Sequence, residues 1–393
     1  MRIAMRKTMI RTVGIISEYN PFHSGHAYHI RKAKELSGAD YAVVIMNGDF
    51  VQRGEPAIFD KYTRTKKALE GGADLVLELP LRFGISSAGD FALGGVLALD
   101  SLGFVTDICF GSECGDIRLL TDTATVLANE TEGFRTTLAE AVKQGLPYPA
   151  ARAHALKNTL YSEGSASIDE SVLSQPNNIL GVEYCLALQK LNSSIHPITI
   201  KRKGQGYHDT AQTEQPDEAV YPSATALRQN IYRSEQPHLC LDDFSDMLRY
   251  SLLTEENLTA CKDITPDIAD RIKKFLPTFR TATEFTEQCQ TRAFTAGRIR
   301  RCLLQCLFRL KETAPVMPYL RLLGAKKEAG SLLRQTGSCQ ILSRLSTDLN
   351  KLDDFSRRLF EQDILASDLY RQTYCRKYNT TLPNEYQHSP IIL

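Results

Sequence analysis

The chemistry of this sequence concentrates at Gly14-Ile15-Ile16-Ser17-Glu18-Tyr19-Asn20-Pro21-Phe22-His23-Ser24-Gly25-His26. An apolar run with the character of a buried strand ends there, a polar loop turns at Pro21, and His-x-Gly-His opens a helix. A helix N-terminus presents unpaired N–H groups and a partial positive charge to a phosphate. Gly25 removes a side chain where a nucleotide would approach the backbone. His23 and His26 share one face of the first turn, so both imidazoles reach phosphate oxygens. They can donate hydrogen bonds to an α-phosphate as charge builds during displacement of pyrophosphate. A second element, Ser223-Ala224-Thr225-Ala226-Leu227-Arg228, starts another helix. Ser223 and Thr225 offer hydroxyls beside its N-terminus, and Arg228 offers a guanidinium that grips phosphate oxygens. Read alone, it is equally well an ordinary N-capped helix.

These residues need a scaffold, and the hydrophobic pattern supplies one. Val13–Ile16, Tyr41–Met46, Leu75–Leu79 and Asp107–Phe110 read as strands buried on both faces, with helical spacing over His26–Leu36, Asp60–Glu70 and Asp90–Leu102. Such alternation predicts βαβ units and a Rossmann-like parallel sheet with helices on both faces, an α/β fold. Helices over Pro149–Tyr161 and Pro176–Leu191, a strand over Ile195–Ile200 and a helix over Ser223–Tyr232 follow, with Pro176 suited to a first helical turn. The polar stretch Gly204–Pro222 reads as a mobile surface loop. Beyond about residue 236 strand signals vanish, and the pattern is helical to about Tyr378. The expected organisation is therefore an α/β domain over residues 9–235 and an all-α domain over residues 236–393.

The chain has 393 residues, 42% hydrophobic and 24% charged, with 47 Lys and Arg against 46 Asp and Glu, a net charge of +1. The chain as a whole is no polyanion binder, so any nucleic-acid footprint is local. Between Arg271 and Arg344 there are fifteen Lys and Arg against four acids, a local balance of +11. That is either a phosphate-backbone footprint or the solvated face of a helix bundle. No window approaches the ~20 apolar residues of a membrane span. The basic, then apolar N-terminus lacks a small-residue cleavage site, which argues against a signal peptide. Met9 reads as the start, with residues 1–8 outside the fold. Ten cysteines include no CxxC pair, so neither a zinc ribbon nor a redox dithiol is expected, and no metal site. Cys302 and Cys306, one helical turn apart, read as core thiols, reduced in a cytoplasm.

The first two elements together resemble the paired HxGH and (I/S)SxTxxR signatures of the nucleotidyltransferase superfamily, which binds ATP in a Rossmann-like fold; the second is loose at its first residue, Pro222. The blocks EYNPFHSGHAYH (18–29), MNGDFVQRGEPAIFDKYTRTKKAL (46–69), DLVLELP (74–80), CFGSECGDI (109–117), LSQPNNILGVEY (173–184), YPSATALR (221–228) and PYLRLLG (318–324) occur in order. They resemble the bacterial tRNA(Met) cytidine acetate ligase family over most of the chain, from about Thr12 to Gly324. Asp49 departs from the uncharged or basic residue of relatives. The resemblance implies an enzyme that uses ATP, with Mg²⁺ as its usual companion, to activate acetate as acetyl-adenylate. It then acetylates the wobble cytidine of elongator tRNA(Met), giving N4-acetylcytidine, AMP and pyrophosphate. It implies an ATP loop from Ile16 to His29, Ala27 and Tyr28 included. Further nucleotide contacts fall on Gly111, Asn177, Arg202, Lys203, Ser223, Thr225 and Arg228. His23, His26 and Arg228 are the catalytic candidates. Asn177 is equally well a capping residue, and Lys203 a solvated one. The charged block Gln52–Pro56 with Asp60, Lys61 and Arg64 either closes over the nucleotide, meets tRNA or is a surface salt-bridge cluster. The helical domain is expected to bind tRNA, with Arg298, Arg300, Arg301, Lys326 and Lys327 as candidates, and no obligatory protein partner is evident. Two rivals remain: an adenylyltransferase acting on a small phosphorylated metabolite, and a non-catalytic, ATP-sensing tRNA-binding protein.

Overall fold

The computed structural model describes residues 10–146, 148–162, 173–202, 224–335 and 337–393. The candidates Lys203 and Ser223, the loop Gly204–Pro222 and the N-terminal extension lie outside the described residues.

The chain opens with β1 (Thr12–Ser17), α1 (Ser24–Ser37), β2 (Tyr41–Asn47) and a short antiparallel ribbon, β3 (Phe50–Val51) and β4 (Glu55–Pro56). α2 (Lys61–Glu70), β5 (Leu75–Leu79), the single turn α3 (Leu81–Gly84), α4 (Ala88–Ser101) and β6 (Asp107–Ser112) come next. Then α5 (Ile117–Ala128), α6 (Glu132–Lys143), α7 (Tyr148–Ser162) and α8 (Pro176–Lys190) lead to β7 (His196–Lys201) and α9 (Ala224–Tyr232). These strands pair in the order β5-β2-β1-β6-β7, all parallel. The order reverses between β1 and β6, and in open α/β sheets that switch point is where ligands sit. The geometry there is open: β1 stays in register with β2 through Ser17, but pairs with β6 only at Val13–Asp107 and Gly14–Ile108.

Both faces of the sheet are buried because alternate residues of each strand serve different cores. Val43, Ile45 and Leu77 pack with Val96, Leu99, Leu120 and Val182 from the helices of one face. Val13, Ile15 and Val44 pack with Ile30 and Ala68 of the other. α4 sits close on β1 because small residues admit it: a Cβ on Gly14 would fall 2.6 Å from Leu99, and one on Gly95 2.5 Å from Ile16.

A helical body follows, with α10 (Ser245–Thr254), α11 (Pro266–Phe275), α12 (Ala282–Cys289) and α13 (Ala296–Leu307). Its core holds Leu248, Ile268, Phe285, Leu303 and, as expected, the buried thiols Cys302 and Cys306. Phe50 of the ribbon enters the same core, edge-on to Phe244 and Phe308.

The expectation of an entirely helical second half is corrected here. β8 (Tyr319–Ala325) pairs antiparallel with β5, and β9 (Gln340–Leu342) and β10 (Ile391–Ile392) extend it in parallel. α14 (Leu345–Asp348) and α15 (Asp354–Tyr378) complete the chain's helices. Tyr-Leu-Arg-Leu-Leu is rich in helix formers, and only its burial beside β5 makes it a strand. α15 then crosses from sheet to helical body, with Ser367 accepting from Lys61 and the Tyr370 hydroxyl donating to the Ala57 carbonyl.

Candidate active site

The loop after β1 carries the first signature to the switch point. Tyr19 takes a left-handed backbone (φ 46°) and buries its ring against Phe22 and His26. That folds the loop back so that His23 becomes the N-cap of α1. His23 Nδ1 accepts from the Gly25 N–H at 3.1 Å, and His26 Nδ1 accepts from the His23 N–H at 3.2 Å. The two rings stack with centroids 3.8 Å apart. Since each Nδ1 is an acceptor, each ring is a neutral tautomer whose proton sits on Nε2. Burial, with Arg202 nearby, lowers the His23 pKa to about 4. Burial and the neighbouring His23, His29 and Arg202 hold His26 well below its ordinary value. At neutral pH the site therefore offers two uncharged N–H donors side by side.

Their loop is braced from behind. Arg64, buried on α2, donates to the carbonyls of Phe59, Glu18 and Asn47 at 2.7–3.0 Å and also to that of Gly48. It thereby ties the C-terminal ends of β1 and β2 together. Asn20 accepts from the Ile58 N–H. Glu18 accepts from the Gln52 N–H, and burial raises its pKa. The charged block after β2 is thus divided. Lys61 is neither at the nucleotide nor on the surface: its ammonium is buried between Glu78 (2.8 Å) and Glu385 (3.0 Å). Asp49 accepts from the Lys61 N–H at the start of α2, a structural use of that carboxylate.

The second signature reaches the first. Arg228 of α9 donates to the Asn20 carbonyl at 3.0 Å and to the Thr225 hydroxyl at 3.0 Å. Two helix N-terminal regions from opposite ends of the α/β part thus meet over one loop. Across the switch point, a Cβ on Gly111 would meet the Arg202 side chain at 3.1 Å. The glycine leaves room for this arginine to lie across the end of β6. Asn177 does not stand free for a nucleotide: its amide donates to Glu113 at 2.6 Å, and Glu113 also accepts the Asn178 N–H. Nor is Asn177 the cap of α8: Gln175 holds that position without a side-chain bond, and Glu113 accepts the Asn177 and Asn178 N–H groups, an anchor that sequence reasoning missed.

The basic candidates separate. Arg300 of α13 pairs with Glu55 of the ribbon, and Arg301 donates to the Gln52 carbonyl. Arg298 lies over the Phe294 ring. Lys326 instead pairs with Asp74 just before β5, and the Lys327 N–H bonds the terminal Leu393 carbonyl. Because β8 runs antiparallel to β5, these lysines sit at the far end of the sheet from the loops after β1 and β2. Arg321 is buried beside Glu385. The +11 segment is therefore not one patch. Among the described residues, no cluster of three His, Cys, Asp or Glu has metal-site geometry, and no helix is long and apolar enough to cross a membrane.

An open parallel sheet of order β5-β2-β1-β6-β7 with stacked histidines at the start of the first helix, at its switch point, defines a nucleotidyltransferase, and the HIGH Nucleotidyl Transferase family profile matches residues 10–385. Within that class the chain belongs to the tRNA(Met) cytidine acetate ligase family. It is 35% identical to the protein of that name from Clostridium perfringens, over 96% of this chain and 98% of that one. It is 36% identical to the one from Acetivibrio thermocellus, over 98% and 100%. The structure of Thermotoga maritima TmcAL bound with alpha-thio ATP superposes with a TM-score of 0.85 at 29% identity, covering 98% of this chain and all of that one.

Proposed function

We propose that this chain is an ATP-dependent ligase that acetylates the wobble cytidine of elongator tRNA(Met), acting in the cytoplasm. The observation that carries the mechanism is the pair of neutral imidazoles, each with Nδ1 engaged and Nε2–H left to donate. In the first step an acetate oxygen attacks the α-phosphorus of ATP, and the bond to the bridging oxygen breaks as pyrophosphate leaves. His23 and His26 donate Nε2–H bonds to the α-phosphate as its charge grows. Because they are neutral and fixed, they supply oriented dipoles without a proton transfer. Arg228, held by Asn20 and Thr225, is the cation this reading assigns to the departing phosphates, with Arg202 beside the histidines as a second. In the second step the cytidine 4-amino nitrogen attacks the acetyl carbonyl, AMP leaves with the electron pair, and the amino group loses one proton. ATP arrives with Mg²⁺ as its counter-ion, and no step is assigned to a protein-held metal. Most of the rate gain comes from positioning and charge stabilisation.

The test is AMP and pyrophosphate formation with acetate and tRNA omitted in turn. Turnover that needs both supports the ligase. ATP consumption without acetate points to a small-molecule adenylyltransferase, and tRNA binding with no turnover points to an ATP-sensing binder.

A further inference from the structure

Between the β3–β4 ribbon, α9 and α13 lies an open cleft of about 420 Å³. The ribbon contributes Arg53 and Glu55, α9 contributes Arg228 and Tyr232, and α13 contributes Arg300 and Arg301. Four arginines and one glutamate thus line it, and Arg300 pairs with that glutamate. Arg300 also keeps a buried Nε that makes no hydrogen bond. The Arg53 side chain is 54% exposed, and its nearest acid is Glu18 at 4.0 Å. The walls are fixed in relation to each other. Gly54, at φ 77°, packs so tightly that a Cβ there would lie 2.7 Å from the Arg301 backbone nitrogen. Tyr232, 40% exposed, lines the same opening and packs its ring against His238.

The position of the cleft says which substrate it serves. The residues placed around the nucleotide gather between the ends of β1, β6 and β7. The cleft lies towards β2, over the loop that follows that strand, and Thr225 and Arg228 form the wall the two regions share. The acceptor amine attacks the acetyl-adenylate formed at the α-phosphate, so its seat has to adjoin the nucleotide site, as a cleft that shares Arg228 with that site does. We propose that the cleft seats the acceptor nucleotide of the RNA. Arg53 and Arg300 hold its flanking phosphates, and Tyr232 stacks on the base that is turned out of its loop. This inference rests on the ligase reading above and deepens it.

The experiment measures binding of an unmodified elongator tRNA(Met) transcript by fluorescence anisotropy over a salt series. It compares wild type, Arg53→Ala, Arg300→Ala, Tyr232→Ala and the charge-preserving Arg53→Lys. Alongside it runs the KM for ATP in acetate-dependent ATP–pyrophosphate exchange without RNA. Each arginine-to-alanine change is expected to weaken RNA binding about tenfold and to flatten the log–log salt slope by about 0.7, the value for one lost single-strand phosphate contact. Arg53→Lys restores the slope, and Tyr232→Ala weakens binding without changing it. A raised KM for ATP with RNA affinity intact would assign the cleft to the β- and γ-phosphates and overturn the proposal. RNA affinity and slope unchanged in every variant would overturn it too. Because affinity is read without turnover, a wild type that binds through these residues but transfers no acetyl group would refute the ligase reading while sustaining the cleft assignment.

Discussion

His23 has two separable jobs, and one substitution divides them. Its Nδ1 closes the first turn of α1 by accepting the Gly25 N–H. Its Nε2–H, at the opposite corner of the ring, is the donor assigned to the α-phosphate. Asparagine places an oxygen near the position of Nδ1 and nothing at Nε2, and it ranks among the best N-cap residues. His23→Asn therefore keeps the cap and deletes the donor, whereas His23→Ala deletes both. Loss of one preorganised donor to developing charge costs about 10²–10³ in kcat, or about 2.7–4 kcal/mol in the barrier. Loss of the cap costs about 1 kcal/mol of stability. The assay is acetate-dependent ATP–pyrophosphate exchange, read beside thermal unfolding. Both variants should lose about a hundred- to thousandfold in exchange, and only the alanine variant should also unfold earlier, by about 2 °C. An asparagine variant with wild-type exchange would show that Nε2–H donates to nothing in the reaction.

Two further predictions concern the scaffold. Lys61 is buried between Glu78 and Glu385. Burial raises the Glu78 pKa to about 8, while Glu385 and Glu78 overcome burial to hold the Lys61 ammonium well above its usual range. Lys61→Met leaves Glu78 without its cation and Glu385 with Arg321 alone, and should cost about 3–5 kcal/mol in urea unfolding; a loss below about 1 kcal/mol would refute the buried network. His29 is half-buried with its Nε2 enclosed and unpartnered, and this burial with the nearby Arg202 lowers its pKa to about 4. The unfolded chain, titrating near 6.5, binds the proton first, so stability is full above pH 6.5 and falls as pH drops towards 4. At pH 5 this group alone accounts for about 2 kcal/mol relative to pH 7, and His29→Gln should flatten the decline by that amount. An identical slope in both proteins would contradict it.

Much of the α/β part was legible because its strands are long apolar runs whose two faces are both buried: Leu75–Leu79 was placed to the residue, and Tyr41–Met46 to within one. The stacked histidines were legible because spacing of three on a first helical turn brings two rings together. Their tautomers were not, since these depend on the backbone N–H that each Nδ1 meets. β8 was missed because a leucine-rich segment becomes a strand only when β5 lies beside it. Lys61 and Arg64 were read as closing over the nucleotide, meeting tRNA or forming surface salt bridges, because sequence does not show Glu385, more than three hundred residues away, returning to cover α2. The charge count between Arg271 and Arg344 did not show how its residues divide: some lie on α11 and α13, Arg321 lies inside β8, and Lys326 and Lys327 lie at the sheet's far end.

The most direct measurement follows the acetyl group itself. The purified protein is incubated with ATP, isotopically labelled acetate and unmodified elongator tRNA(Met), and the RNA is digested to nucleosides for mass spectrometry. The account predicts labelled N4-acetylcytidine, formed in equal amount with AMP, and none when ATP is withheld. Labelled acetate that never reaches the cytidine while ATP is still converted to AMP would contradict it.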